Sequence, residues 1–296
     1  MRETRIAAEI ERLGSLPTLP ALAAEIGRTA ADPESSAADI ARLVSSDPIF
    51  AARVLKIANS PFFRPSLDAL TDIHAAVVML GLNAVKAIAV GLGLCCGVGA
   101  QASKTGFDRK GFLRHSLATG FGARAAAKGL AASDPETAFL AGLLHDIGKP
   151  VLDSLDPRKF KRVVRALSVT RLPFHEVEKG ILGFNHADLG HEAAKVWGLP
   201  EEIAQAIQLH HRDGLTWSAE GGLARCVQCG DAVAQQIGVS FPRSHHVCGP
   251  EREIAARTAG VPPESIHQIE RAVSHGLAEI EDLLGVFDDS SPRAAA

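Results

Sequence analysis

Apolar residues along this chain recur at intervals of three and four, and no stretch alternates as a half-buried strand would. The pattern predicts helices over residues 2–13, 21–31, 39–44, 49–58, 73–80 and 83–94. After a break it resumes over 108–129, 134–147, 157–170, 173–182, 186–197, 200–212, 219–237 and 263–284. Punctuation supports these limits. Leu16-Pro17-Thr18-Leu19-Pro20 is extended, because each proline disfavours helix at the residue before it. Ser46-Asp47-Pro48 reads as a cap followed by proline in the first turn, and Asp72 reads as a second cap. The chain is therefore expected to be all-α, with no internal repeat.

Residues 97–107 are polar and contain glycine, which makes them the natural break between two helical lobes. The expected division is an N-terminal lobe over 1–103, a second lobe over 104–286 and a disordered tail over 287–296. Residues 75–100 are apolar enough to suggest a membrane span, but Asn83 and Lys86 interrupt them. A lysine at the middle of a span costs roughly 2.5–3.5 kcal/mol, so a buried helix pair is the expectation.

Bulk composition narrows the function classes. A 46% hydrophobic content excludes general disorder, and a net charge of −3 provides no field for recruiting nucleic acid. Five cysteines do not form a secreted disulfide framework, and the charged N-terminus lacks a signal core. The expected location is the cytoplasm.

The chemistry-bearing residues lie on the apolar faces of the predicted helices. Phe112, His115, Thr119 and Gly122 share one face, and Phe139, Leu143, Asp146 and Ile147 share another, with His145 beside Asp146. Ile203, Ile207 and His210 align, with His211 on the flank, and Val227, Asp231 and Ala234 align. His186 begins its helix after Gly183-Phe184-Asn185. A single inward histidine is ordinary, but several imidazoles and two carboxylates on apolar faces need a common partner. Nitrogen and carboxylate ligands suit divalent iron or manganese first, and zinc also, as one or two ions.

The order His115, His145-Asp146, Asp231 resembles the HD superfamily of metal-dependent phosphohydrolases. The resemblance implies that these four hold one metal, that His186, His210 and His211 serve a second, and that Asp146 bridges. It also places Lys149 where related phosphodiesterases face substrate phosphate. Leu16-Pro17-x-Leu19-Pro20, Asp47-Pro48, Leu55-x-x-Ala58-Asn59-Ser60, Leu80-Gly81, His186-Ala187-x-x-Gly190, Trp197-x-Leu199-Pro200 and His210-His211 resemble the HDOD family. That family is a two-lobe, all-helical variant of the HD fold found in bacterial signalling proteins. Members commonly lack part of the HD ligand set, whereas this chain keeps it. Arg212-Asp213-Gly214 follows the histidine pair, and the chain has no tyrosine, so the Gly-Tyr-Pro element of the cyclic-di-GMP branch is missing. Hydrolysis of cyclic-di-GMP is not expected.

Other features carry less. Cys226-x-x-Cys229 with His245, His246 and Cys248 spells a zinc pattern, but both cysteines share the helix of Asp231 and read as core. Arg158, Lys159, Lys161, Arg162 and Arg165 read as a solvated face, with an anion-recruiting rim as the sharper alternative. His74, His175, His191, His267 and His275 read as surface or capping residues. The first expectation is a signalling protein acting as a metal-containing binding or scaffolding module, with a regulatory protein or nucleotide as partner. The second is a metal-dependent phosphohydrolase, with Asp146 and Lys149 as its catalytic residues.

Overall fold

A computed structural model describes residues 21–59, 70–91, 107–241 and 257–285, except 33, 83, 87, 90, 171, 219, 220 and 259. Among the described residues there are helices and turns and no strand. The first group comprises α1 (Ala21–Ala31), α2 (Ala37–Ser45), α3 (Pro48–Ala58) and α4 (Ile73–Leu80). The second comprises α5 (Arg109–Leu130), α6 (Pro135–Leu144), α7 (Gly148–Leu155), α8 (Pro157–Leu167), α9 (Phe174–Leu182), α10 (His186–Val196), α11 (Glu201–Leu209), α12 (Gly222–Gln236) and α13 (Pro263–Gly285). The expected helix over 2–13, the break at 97–106 and the tail at 287–296 lie outside the described residues.

Local chemistry sets most boundaries. Asp47, Asp72, Asp108, Asp134 and Asp156 each accept a main-chain N–H three residues on, and so satisfy a donor the helix leaves open. Ser36 with Asp39, and Asn185 with Asp188, close reciprocal capping boxes. The Asn185 box fixes the start of α10, and with it the position of His186.

In the N-terminal group, α2 packs on α1, α3 and α4. In the second group α5 is the central helix, flanked by α6, α12 and α13. Glycine permits this closeness. A Cβ on Gly142 of α6 would lie 2.8 Å from Gly120 Cα of α5, and one on Gly122 of α5 would lie 2.6 Å from Gly230 Cα of α12. The helices bearing His115 and Asp231, and the C-terminus leading to His145, are thereby drawn to near backbone contact. The groups share one hydrophobic core, and Lys86, almost fully buried, donates to the Gly198 carbonyl between α10 and α11. No helix among the described residues is long and apolar enough to cross a membrane.

Candidate metal centre

The predicted helix over 134–147 ends earlier, at Leu144. His145, Asp146 and Ile147 form a turn, closed by Ile147 N–H to Leu144 O at 3.0 Å and Lys149 N–H to Asp146 O at 2.9 Å. A separate helix, α7, then begins at Gly148. A Cβ at Gly148 would overlap the His186 carbonyl, so only glycine lets α7 sit this close to the start of α10. The turn aims both His145 and Asp146 inward.

All seven candidate ligands meet in one place. Asp146 is fully buried at its middle. Its Oδ2 lies 3.4 Å from His115 Nε2 and 3.3 Å from His145 Nε2. Its Oδ1 lies 3.0 Å from His186 Nε2 and 3.8 Å from His210 Nε2. Asp231 Oδ1 is 3.4 Å from His115 Nε2, and His211 Nε2 is 2.9 Å from His186 Nε2. Two sets of ligand atoms result, one from His115, His145 and Asp146, the other from Asp146, His186, His210 and His211. Asp146 belongs to both.

The imidazoles are held from behind. Nδ1 of His115, His145 and His210 faces the carbonyls of Val239, Gly142 and Ile207 at 2.9, 2.7 and 2.6 Å. A carbonyl only accepts, so each ring carries its proton on Nδ1 and turns the Nε2 lone pair inward, the arrangement found behind metal-ligating histidines. His186 is held by Glu178, which accepts its Nδ1–H at 2.5 Å and its main-chain N–H at 2.9 Å.

Charge is heavily coupled here. Burial opposes ionisation of Asp146, but His145, Lys149 and His186 outweigh it and hold the carboxyl well below the usual range. Burial likewise opposes ionisation of Asp231, and Arg257, His115 and His145 hold it low. Burial and the neighbouring imidazoles push His210 and His211 down. His186 goes the other way: burial lowers it, but Glu178 and Asp146 raise it overall. Lys149 Nζ donates to Asp146 Oδ2 at 2.5 Å and to the Phe241 carbonyl at 3.0 Å, 4.9 Å above the Phe174 ring.

Two atoms at the focus have no hydrogen bond: Asp146 Oδ1 and His210 Nε2. Both are acceptors, they face each other, and a cation between them would satisfy both. The residues present therefore fit a divalent metal.

Several participants did not stand out in the sequence. Glu178 is completely buried. It shares a stripe with Phe174, Val177, Ile181 and Leu182, so the periodicity that singles out Asp146 would also have found it. Arg257 donates to Asp231 Oδ2 and lies 2.8 Å from His211 Nδ1, and no periodic signal marks it. His175 and His191 are corrections to the surface reading. His175 stacks on His211 with centroids 4.1 Å apart, and His191 is buried, with Nδ1 3.0 Å from the Ala204 carbonyl. Both are covered by tertiary contacts that helix periodicity does not encode. His74, His267 and His275 are exposed.

Cys226 and Cys229 are buried on α12, where burial pushes their thiols up to about 12 and about 11. His245, His246 and Cys248 lie outside the described residues. On α8, Arg158, Lys161, Arg162 and Arg165 are exposed while Phe160, Val163 and Leu167 are buried, which is a solvated basic face.

The described residues, helical throughout and gathering this His/Asp set into one buried cluster that could hold a metal, have an HD-type fold. More narrowly, the chain belongs to the HDOD domain family, which matches residues 16–213. An uncharacterized protein of Treponema pallidum (strain Nichols) is 29% identical over 214 residues, 70% of this chain. The match spans only 40% of that longer relative. Among solved structures, an HDOD domain protein of unknown function from Geobacter sulfurreducens superposes with a TM-score of 0.67 at 22% identity, covering 98% of both chains. A protein from Shewanella amazonensis SB2B, provisionally described as a phosphohydrolase, gives a TM-score of 0.69 at 23% identity, covering 94% of this chain and 98% of its own. At these identities the likeness is one of fold.

Proposed function

We propose that this chain is a cytoplasmic bacterial signalling protein of the HDOD family, working as a metal-containing binding or scaffolding module for a regulatory protein or nucleotide. The division into lobes over 1–103 and 104–286 is part of this reading. Iron or manganese suits the mixed imidazole and carboxylate set best, with zinc also compatible. One observation carries it: Asp146 Oδ1 and His210 Nε2 are buried, unsatisfied and turned toward each other. Leaving a buried polar atom unsatisfied costs roughly 1–3 kcal/mol, more when it is charged, and a metal removes that cost. His115, His145, Asp146 and Asp231 would hold one ion. Asp146, His186, His210 and His211 would hold a second. Elemental analysis of the purified protein tests this, with one to two transition-metal ions per chain expected. Metal-free protein that takes up none on titration would refute it.

A second reading, metal-dependent phosphohydrolysis, is favoured by the way Asp146 divides its two oxygens between the two ligand sets. Ions bridged there would supply Lewis-acid charge to a phosphoester. Lys149 would steady the phosphate, and the Phe174 and Phe241 rings beside it would limit water at that point. A panel of nucleotides and phosphoesters tests this reading. Turnover lost in both His145→Ala and Asp146→Ala supports it, and inertness of the metal-loaded protein across the panel removes it.

A further inference from the structure

The histidines of the cluster are not held alike. His115, His145 and His210 keep their proton on Nδ1 against a carbonyl, and His186 keeps its proton there against Glu178. His211 is reversed. Its Nδ1 lies 2.8 Å from Arg257 Nη2, and a guanidinium can only donate. Nδ1 is therefore the acceptor. A ring nitrogen that accepts a hydrogen bond carries no proton, so the proton of this imidazole sits on Nε2. From Nε2 it points at His186 Nε2, 2.9 Å away. With His186 neutral and its proton on Nδ1, its Nε2 accepts, and donation runs one way, from Arg257 to His211 to His186 to Glu178. Arg257 also donates to Asp231 Oδ2, leaving Oδ1 toward His115. One guanidinium thus spans both ligand sets.

We infer that Arg257 withdraws His211 from the ligand set and holds it as an inward hydrogen-bond donor, so that the two metal positions are unequal. His115, His145, Asp146 and Asp231 offer four ligand atoms to one position, while Asp146, His186 and His210 offer three to the other. This inference rests on the metal-centre reading above. Once His186 gives its Nε2 lone pair to an ion, the His211 N–H loses its acceptor. An anionic oxygen, such as one of inorganic phosphate or a phosphoester, is the chemistry that replaces it. Arg257 and His211 are thus positioning and anion-binding residues beside the weaker metal.

The test uses the full chain, labelled with [15N]histidine and observed by long-range 1H–15N correlation, both metal-free and loaded with Zn2+. His211 is expected to carry its proton on Nε2 in both states, and His115, His145 and His210 on Nδ1. A Zn2+-loaded spectrum with the His211 proton on Nδ1 overturns the inference without any variant having to fold. In Zn2+ titrations, His210→Ala should weaken the second binding step by about 100-fold and His211→Ala by less than about threefold. Arg257→Met should tighten that step by about tenfold, and the gain should vanish when His211→Ala is added. Inorganic phosphate should bind the loaded wild type and lose affinity in His211→Ala. Equal loss of Zn2+ in His210→Ala and His211→Ala, in a protein that still binds two ions, refutes this inference alone. A wild type that binds no Zn2+ refutes the metal centre with it.

Discussion

Glu178 is fully buried and accepts two hydrogen bonds from one residue, the main-chain N–H and the Nδ1–H of His186. This carboxylate fixes the position and tautomer of the histidine closest to Asp146 Oδ1. It therefore governs the basicity of a ligand atom that it never touches. Glu178→Gln keeps an acceptor but removes the charge. Metal affinity at the His186 position should fall by about 10–100-fold, with the fold preserved. Competition against a chelator of known affinity measures it, and an unchanged affinity would show that Glu178 is merely filling space.

Gly148 and Gly180 should respond in opposite directions to the same substitution. A Cβ at Gly148 overlaps the His186 carbonyl and comes within 2.9 Å of Gly190 N, so α7 must move away from α10. Gly148→Ala should destabilise by about 1–3 kcal/mol and reduce metal content, because Asp146 and His186 separate. Gly180 is exposed on α9, and a Cβ there meets nothing within 4 Å. Gly180→Ala should stabilise by about 0.5–1 kcal/mol. Thermal melts of the two variants decide it, and similar shifts in both would contradict the close-approach argument.

Stability of the metal-free protein should fall on mild acidification. Burial, then His186 and Arg257, push the His175 imidazole from its ordinary 6.5 down to about 3. The unfolded chain takes up this proton near 6.5 and the folded chain only near 3, so folding loses stability as pH falls through that interval. His210 and His211 are also lowered and add to the trend. His186 is raised and opposes it, since its contribution is present at low pH and lost as pH rises through its folded value. Three groups against one set the sign. Urea unfolding in EDTA at about pH 7.5 and 5 should show the loss, and His175→Phe should flatten it. A variant with the wild-type pH dependence would remove His175 from the account.

Helix limits fixed by local chemistry were readable from sequence. The 73–80 helix matches to the residue, because Asp72 and Gly81 punctuate it. The inward His and Asp positions were readable because they interrupt apolar stripes. What escaped were features decided by tertiary contact. The 134–147 pattern continued through the His145–Ile147 turn because residues in that turn keep helical dihedrals, with His145 at φ −52° and ψ −36°. Arg257 lies 26 residues beyond Asp231, and only the fold joins them. His175 reads like any polar residue in the first turn of a helix, and its burial comes from stacking on His211.

Lys149 competes with any ion for Asp146. Its Nζ is 2.5 Å from Oδ2, the oxygen that also faces His115 and His145. Removing that ammonium should therefore have opposite effects on the two states. Without metal, Lys149→Met leaves a buried carboxylate with one cation fewer, and the protein should melt earlier. With metal, the vacated oxygen is a better ligand, and affinity should rise by about tenfold. The separation between melts with and without EDTA should widen relative to wild type. In the phosphohydrolase reading the same variant loses turnover by about 100-fold while holding its metal more tightly, because no ammonium remains to meet the phosphate. In the scaffold reading metal affinity rises and no turnover exists to lose. Reduced metal content in Lys149→Met would contradict both, and would recast Lys149 as a strut that keeps Asp146 in place.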